Sequence, residues 1–269
     1  MGGKDCSRGA TRQGNDDMKL GLGKLPARHD SVKFKFQKYF DLTAIKIPRH
    51  NFGRYWKFPA DGWGALGNLT HGDCVFAGAA HETMLWGKEQ KRDIVFDDSS
   101  VLASYSDLTG YDPENKDTDQ GVDAQDAASY RRRVGILSAD QTYHKIDAYV
   151  ALRPRNFDQL RAAMYLFGAV GIGFEFPRSA DRQYKDHVPW SVVSSKIEGG
   201  HYVPGMGIVP VTGNIACVTW GHRQDMTPEF YEHYNDESIA YLSLERLKNR
   251  ISPDGFDYDT LKADLASLG

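Results

Sequence analysis

Cys74 is the cysteine whose setting could make it reactive. It follows Gly72-Asp73 and opens the run 74–87, which carries Phe76, Ala77, Ala80, Met84 and Leu85 among helix-forming residues. It therefore falls in the first turn of a predicted helix, with Asp73 as N-cap. There, unpaired backbone N–H groups and the positive end of the helix dipole favour thiolate over thiol and lower the pKa. The same amides can stabilise an oxyanion once an attacked carbonyl becomes tetrahedral. The bland alternative is a small buried hydrophobe packing the helix start.

A thiolate needs a base, and the chain has nine histidines. His81 shares a helical face with Cys74 but lies about 10 Å along the axis, which suits packing. His71, three residues before Cys74, is within reach. His201 follows Gly199-Gly200 at the start of a predicted strand, where paired glycines allow a close approach. The other cysteines read differently: Cys6 lies in a polar lead and Cys217 in a predicted buried strand. Three cysteines without paired short spacing give neither a disulfide framework nor a zinc site. His81-Glu82 begins like a zinc-protease helix, but Leu85 stands where the second histidine is required. Gly-x-Gly stretches at 21–23, 171–173 and 205–207 do not link a strand to a helix, so dinucleotide binding is not expected. No metal or cofactor is expected. Arg131-Arg132-Arg133 reads as the solvated end of a helix.

The elements that must position these residues follow from pattern. A second helix is predicted over 124–134, closed by Gly135, and a third over 157–167, stopped by Gly168. A strand is expected over 169–176. Strands over 201–211 and 215–220 flank a Gly213-Asn214 turn, with Pro204 and Pro210 marking a bulge or an edge. A short helix over 226–234, capped by Thr227-Pro228, precedes a strand near 239–242, and a surface helix is expected over 259–268. Residues 31–63 are aromatic-rich without periodicity and read as an extended wrap. Residues 1–30 form a polar Gly- and Arg-rich arm, read as a mobile tail or as an arm that orders against the body or a neighbouring subunit. The chain has 269 residues, net charge −3, 26% charged and 41% hydrophobic residues, the composition of one globular domain. Nothing in that charge calls for nucleic acid, no apolar run reaches the roughly 20 residues of a membrane span, and the start lacks the apolar stretch of a secretory signal. Helices first and strands later indicate an α+β domain.

Several segments together resemble the papain-like cysteine peptidases and, over 219–237, uncharacterised papain-fold proteins of bacteria and phages. Gly67-Asn68-Leu69-Thr70-His71-Gly72-Asp73-Cys74 is similar to the segment in which an amide side chain precedes the nucleophile by six residues. Asp119-Gln120-Gly121 with 127–136, and the helix-then-strand 160–176, also resemble family stretches. Gly199-Gly200-His201-Tyr202-Val203 is similar to the segment of the catalytic histidine, and Val218-Thr219-Trp220-Gly221 to the Asn-Ser-Trp-Gly that follows it. His201 lies 127 residues after Cys74, close to the ~130–150 of papain-type enzymes.

The resemblance implies a helical lobe (roughly 63–150) with the nucleophile helix, packed against an antiparallel sheet or barrel lobe (roughly 151–245), within one domain over 31–269. It implies a cysteine hydrolase of peptide or amide bonds working through an acyl-enzyme. Cys74 would be the nucleophile, His201 the base and acid, and Asn68 an oxyanion donor. A peptide or protein substrate would lie in the interlobe cleft. The family's orienting asparagine falls on Val218; Thr219, Asn214 or a backbone carbonyl would have to replace it, with Trp220 and His71 as neighbouring candidates. The alternative implied by that departure is an impaired papain-fold binding or structural protein, such as a phage virion component whose arm docks on a partner or a second copy. A reducing setting, the cytoplasm or a phage particle, agrees with the absent neighbouring disulfide cysteine.

Overall fold

The computed structural model describes residues 20–29, 34–43, 47, 52–53, 62–243 and 263. Helix α1 (Phe36–Tyr39) and strand β1 (Phe52–Gly53) precede the body. Then follow α2 (Cys74–Glu89), α3 (Asp98–Thr109), α4 (Ala124–Arg133), β2 (Ile136–Leu137), β3 (Tyr143–His144), β4 (Ala148–Ala151) and α5 (Phe157–Phe167). The chain continues through β5 (Val170–Pro177), α6 (Arg178–Lys185), β6 (Ile197–Ile208), β7 (Ile215–Thr219), β8 (His222–Met226), α7 (Pro228–Tyr234) and β9 (Asn235–Leu242). This is the expected α+β class. The main sheet runs β4-β9-β5-β6-β7-β8 with antiparallel neighbours, and β1 adds to β6.

Two apolar cores form on the two faces of this sheet, and side-chain alternation assigns residues to each. On β6 and β7, Val203, Ile208, Ile215 and Cys217 join α5 and α7 in one core, while Tyr202, Met206, Ala216 and Val218 join α2, α3 and α4 in the other. Burial on both faces removes the usual polar alternation from these strands. On β5, Val170, Ile172, Phe174 and Phe176 fill the first core. The opposite face carries Gly171 and Gly173, where a Cβ would meet the Tyr202 hydroxyl and the Lys24 side chain.

The boundaries of α4, α5, β5, β7 and α7 fall within a residue or two of expectation. Thr227 caps α7 by accepting from the Phe230 N–H, and Cys217 is buried in β7. Other expectations need correction. Helix α3, with its Asp97–Ser100 capping box, and helix α6 and strand β8 were not anticipated: α3 and α6 are polar on their outer faces and β8 is polar over His222–Asp225. The 31–63 wrap contains one helical turn and a short strand. Strand β6 is not an edge, because it pairs with β5 and β7; the irregularity falls between Gly205 and Gly207, and β7 pairing begins only at Gly205, past Pro204. The expected helix 259–268 lies outside the described residues except Ala263.

Arg131 is not solvated. It is 1% exposed, and its Nη1 donates to Glu82 Oε2 at 2.6 Å while the guanidinium covers the Tyr241 ring at 4.1 Å. The Tyr202 hydroxyl donates to Glu82 Oε1 at 3.1 Å and lies 2.9 Å from the Tyr241 hydroxyl. A buried ion pair thus ties α2 and α4 to β6 and β9, with both Glu82 oxygens engaged and the Arg131 Nε and Nη2 without a hydrogen-bond partner among the described residues.

Candidate active site

Cys74 is the first residue of α2 and is buried. Asp73 occupies the N-cap position, but its side chain makes no cap hydrogen bond; its carbonyl accepts from the Phe76 and Ala77 N–H groups instead. The Asp73 carboxyl is fully buried, which pushes its pKa well above the usual range. Asn68 comes to the same place from the loop before α2. Its Nδ2 donates to the His71 carbonyl at 3.0 Å and to the Gly21 carbonyl at 3.3 Å. The loop is anchored by Asp119, which accepts from the Gly72 N–H at 2.8 Å and from the Tyr105 hydroxyl at 2.7 Å.

His201 comes from β6 on the sheet side, stacked on Trp220 at 4.5 Å and ringed by Phe174, Phe176 and Trp190. Its Nε2 lies 2.7 Å from Thr219 Oγ1, and its Nδ1 has no hydrogen-bond partner among the described residues. Thr219 therefore touches the imidazole where Val218 does not; Val218 points into the helical-side core. Asn214 does not reach the site: it precedes β7, at the far end of the strand from Thr219. His71 is also engaged elsewhere, its Nδ1 lying 2.6 Å from the Tyr111 hydroxyl. His81 packs as expected, with Nε2 on the Gly64 carbonyl at 3.0 Å, and burial lowers its pKa to about 4.

The feature that sequence reasoning missed is what lies between these groups. Residues 20–25 run through the site as a segment with an isolated parallel bridge between Lys24 and Val122, joined to both sides by main-chain bonds. The Val122 N–H donates to the Gly23 carbonyl at 2.8 Å and the Leu25 N–H to the Val122 carbonyl at 3.0 Å, while the Lys24 N–H donates to the Gly200 carbonyl at 3.2 Å. Trp220 Nε1 donates to the Gly21 carbonyl at 3.2 Å. The backbone amides of Gly23 and of Tyr202, next to His201, face the Cys74 sulfur. Glycine is required at two arm positions: a Cβ on Gly23 would meet the Gly72 carbonyl oxygen at 1.7 Å, and one on Gly21 the His71 carbonyl oxygen at 2.1 Å. The signal was the alternation Leu20-Gly21-Leu22-Gly23-Lys24, period 2 with a small face. The glycines press onto the 68–72 loop, and Leu20 and Leu22 pack on the sheet-side core.

The electrostatics reverse the expectation for Cys74. Burial pushes its thiol up to about 12, outweighing the Gly23 and Tyr202 amides that favour the anion, and Asp73 opposes that anion further. Burial likewise drives His201 down to about 3. A helix start favours the thiolate, but burial in apolar surroundings disfavours it, and here burial is the larger effect. With the arm in place, Cys74 is a neutral thiol and His201 a neutral imidazole, and no hydrogen bond joins the two among the described residues.

No protein-family model and no curated protein matches the sequence. Solved structures do. Xylellain, a cysteine protease from Xylella fastidiosa, superposes with a TM-score of 0.59 at 17% identity, covering 84% of this chain and 97% of that one. Procathepsin B S9 from Trypanosoma congolense gives 0.57 at 13% identity, over 82% and 86%. Digestive procathepsin L2 from Tenebrio molitor larval midgut gives 0.50 at 14% identity, over 74% and 69%. At these identities the likeness speaks to the fold. A helical core opening on Cys74, a sheet bearing His201 and these superpositions lead to one conclusion: this chain has the papain-like cysteine protease fold.

Proposed function

We propose that the chain is a cysteine hydrolase of peptide or amide bonds, held closed by its own residues 20–25. The observation that carries this reading is a peptide backbone seated across Cys74 through main-chain hydrogen bonds to Val122 and Gly200. A cleft that holds one extended peptide by its backbone is suited to holding another.

In the open state, Thr219 accepts from Nε2–H of His201, which fixes the tautomer with Nδ1 as base. Nδ1 takes the thiol proton, Sγ attacks the carbonyl carbon, and the developing oxyanion meets the Asn68 amide and the N–H groups of the α2 start. The imidazolium returns the proton to the departing amine, leaving a thioester. Water, deprotonated by His201, then releases the acid and regenerates the thiol. A second reading, a papain-fold binding protein in which the arm is a permanent occupant, draws on the neutral, buried Cys74 and His201.

Peptide-amide hydrolysis by full-length Lys24→Ala and Lys24→Ala/Cys74→Ala separates the two. The hydrolase reading expects turnover in the first and none in the second. Equal rates in both overturn it.

A further inference from the structure

Lys24 is the arm residue with a chemically distinctive seat. Its side chain is fully buried, and its ammonium makes three contacts: Asp236 Oδ2 at 2.7 Å, Glu237 Oε1 at 3.0 Å and the Leu25 carbonyl at 2.9 Å. Two of these, to Asp236 and to the Leu25 carbonyl, are hydrogen bonds donated by the ammonium, and the third is an ion pair with Glu237. The slot is formed by absence as much as by charge. A Cβ at Gly173 would meet Lys24 Cε at 2.1 Å and Glu237 Cγ at 3.0 Å, so a side chain there would close it. Glu237 shares the helical-side face of β9 with Ile239 and Tyr241, opposite Ala240 and Leu242. The slot therefore lies on the helical-side face, one residue along the arm from Gly23, whose amide faces the Cys74 sulfur.

The energetics ask for a cation. Glu237 is nearly buried, and no hydrogen bond reaches either of its carboxylate oxygens or Asp236 Oδ1 among the described residues. Two carboxylates in such a place are costly unless a positive charge faces them. Burial pushes the Glu237 pKa up and Lys24 pulls it down, while Glu237 and Asp236 hold the Lys24 ammonium charged against its burial.

We propose that the slot of Gly173, Asp236 and Glu237 is a specificity pocket for a lysine side chain of the peptide substrate, and that Lys24 closes the site by standing in for that lysine. This rests on the reading of the cleft as a peptide-processing site. It names the substrate class, a peptide carrying a lysine that is laid along the track of residues 20–25. The third ligand of the ammonium, the carbonyl of the residue after Lys24, is one that a peptide laid in the same direction supplies itself.

The test uses the full-length Lys24→Ala chain, checked for folding by near-ultraviolet circular dichroism. Fluorescein-labelled peptides with the sequence of residues 20–27 carry lysine, norleucine, arginine or glutamate at the Lys24 position. Binding is read by anisotropy and cleavage by mass spectrometry. The lysine peptide is expected to bind at least about 30-fold more tightly than norleucine, which has the same stem without the ammonium. In Lys24→Ala/Glu237→Gln most of that ratio is lost. Equal binding of lysine and norleucine overturns the proposal. Lysine-selective binding without cleavage upholds the pocket and sinks the hydrolase; cleavage without lysine preference does the reverse.

A second variant guards against a misfolded Lys24→Ala chain. Glu237→Gln in the otherwise unchanged protein should speed trypsin cleavage after Lys24 by about 10-fold or more, because Lys24 is freed from its slot. An unchanged rate overturns the proposal.

Discussion

His201 Nε2 lies 2.7 Å from Thr219 Oγ1, so the hydroxyl at the end of β7 holds the imidazole of β6. The residue beside it, Val218, turns its side chain into the opposite core because successive residues of a strand face opposite ways. A one-residue shift in which position carries the polar group decides whether the histidine is oriented at all.

Replacing Thr219 with Val in a Lys24→Ala background removes that partner at nearly constant volume. If His201 is the base proposed above, kcat should fall about 10- to 100-fold with KM little changed, since the hydrogen bond that orients the imidazole is lost. Thr219→Ser should restore most of the rate. Steady-state kinetics on one peptide amide decide it; a rate unaffected by Val would show that Thr219 orients nothing.

Cys74 in the intact chain should resist alkylation. With its thiol pushed up to about 12, it should react with iodoacetamide at pH 7.5 at least about 100-fold more slowly than a small-molecule thiol. Peptide mass spectrometry after timed quenching measures this. Reaction at the free-thiol rate would mean that the arm does not cover the sulfur.

Acid should destabilise the closed protein in part through His201. Its folded pKa of about 3 lies below the ordinary 6.5. Below pH 6.5 the unfolded chain therefore binds a proton that the folded chain refuses. Stability falls as pH drops from 6.5 toward 3, by at most roughly 1.4 kcal/mol per pH unit from this group. Urea midpoints at pH 7, 5.5 and 4.5 should fall more steeply for the native chain than for His201→Phe, and parallel slopes would contradict the assignment.

The Glu82–Arg131 pair should be costly to break from one side. Arg131→Met leaves Glu82 buried with only the Tyr202 hydroxyl, and we expect a loss of about 3–5 kcal/mol. Denaturant unfolding measures it. Glu82→Leu/Arg131→Met, which removes both charges, should recover much of that loss.

Much of this arrangement was legible in the residues themselves. Glycines after α4 and α5 and the Thr227-Pro228 start of α7 are local signals with local causes, so those boundaries read correctly. Cys74 at a helix start and His201 on a strand were placed by the same means. Helix α3 was missed because its polar outer face carries little periodic contrast, and strand β8 because His222-Arg223-Gln224-Asp225 is polar throughout.

Sequence by itself determined the α+β class, the helix that opens on Cys74 and the strand that carries His201, because these follow from short-range periodicity and turn chemistry. Tertiary structure alone decided the rest. It set Thr219 rather than Asn214 against His201, because a strand's end and its beginning lie far apart. It buried Arg131, because Glu82 waits one helix away. It laid residues 20–25 across Cys74, raising a pKa that the helix start alone would lower. Desolvation is a property of everything packed around a group, and no window of neighbouring residues contains it.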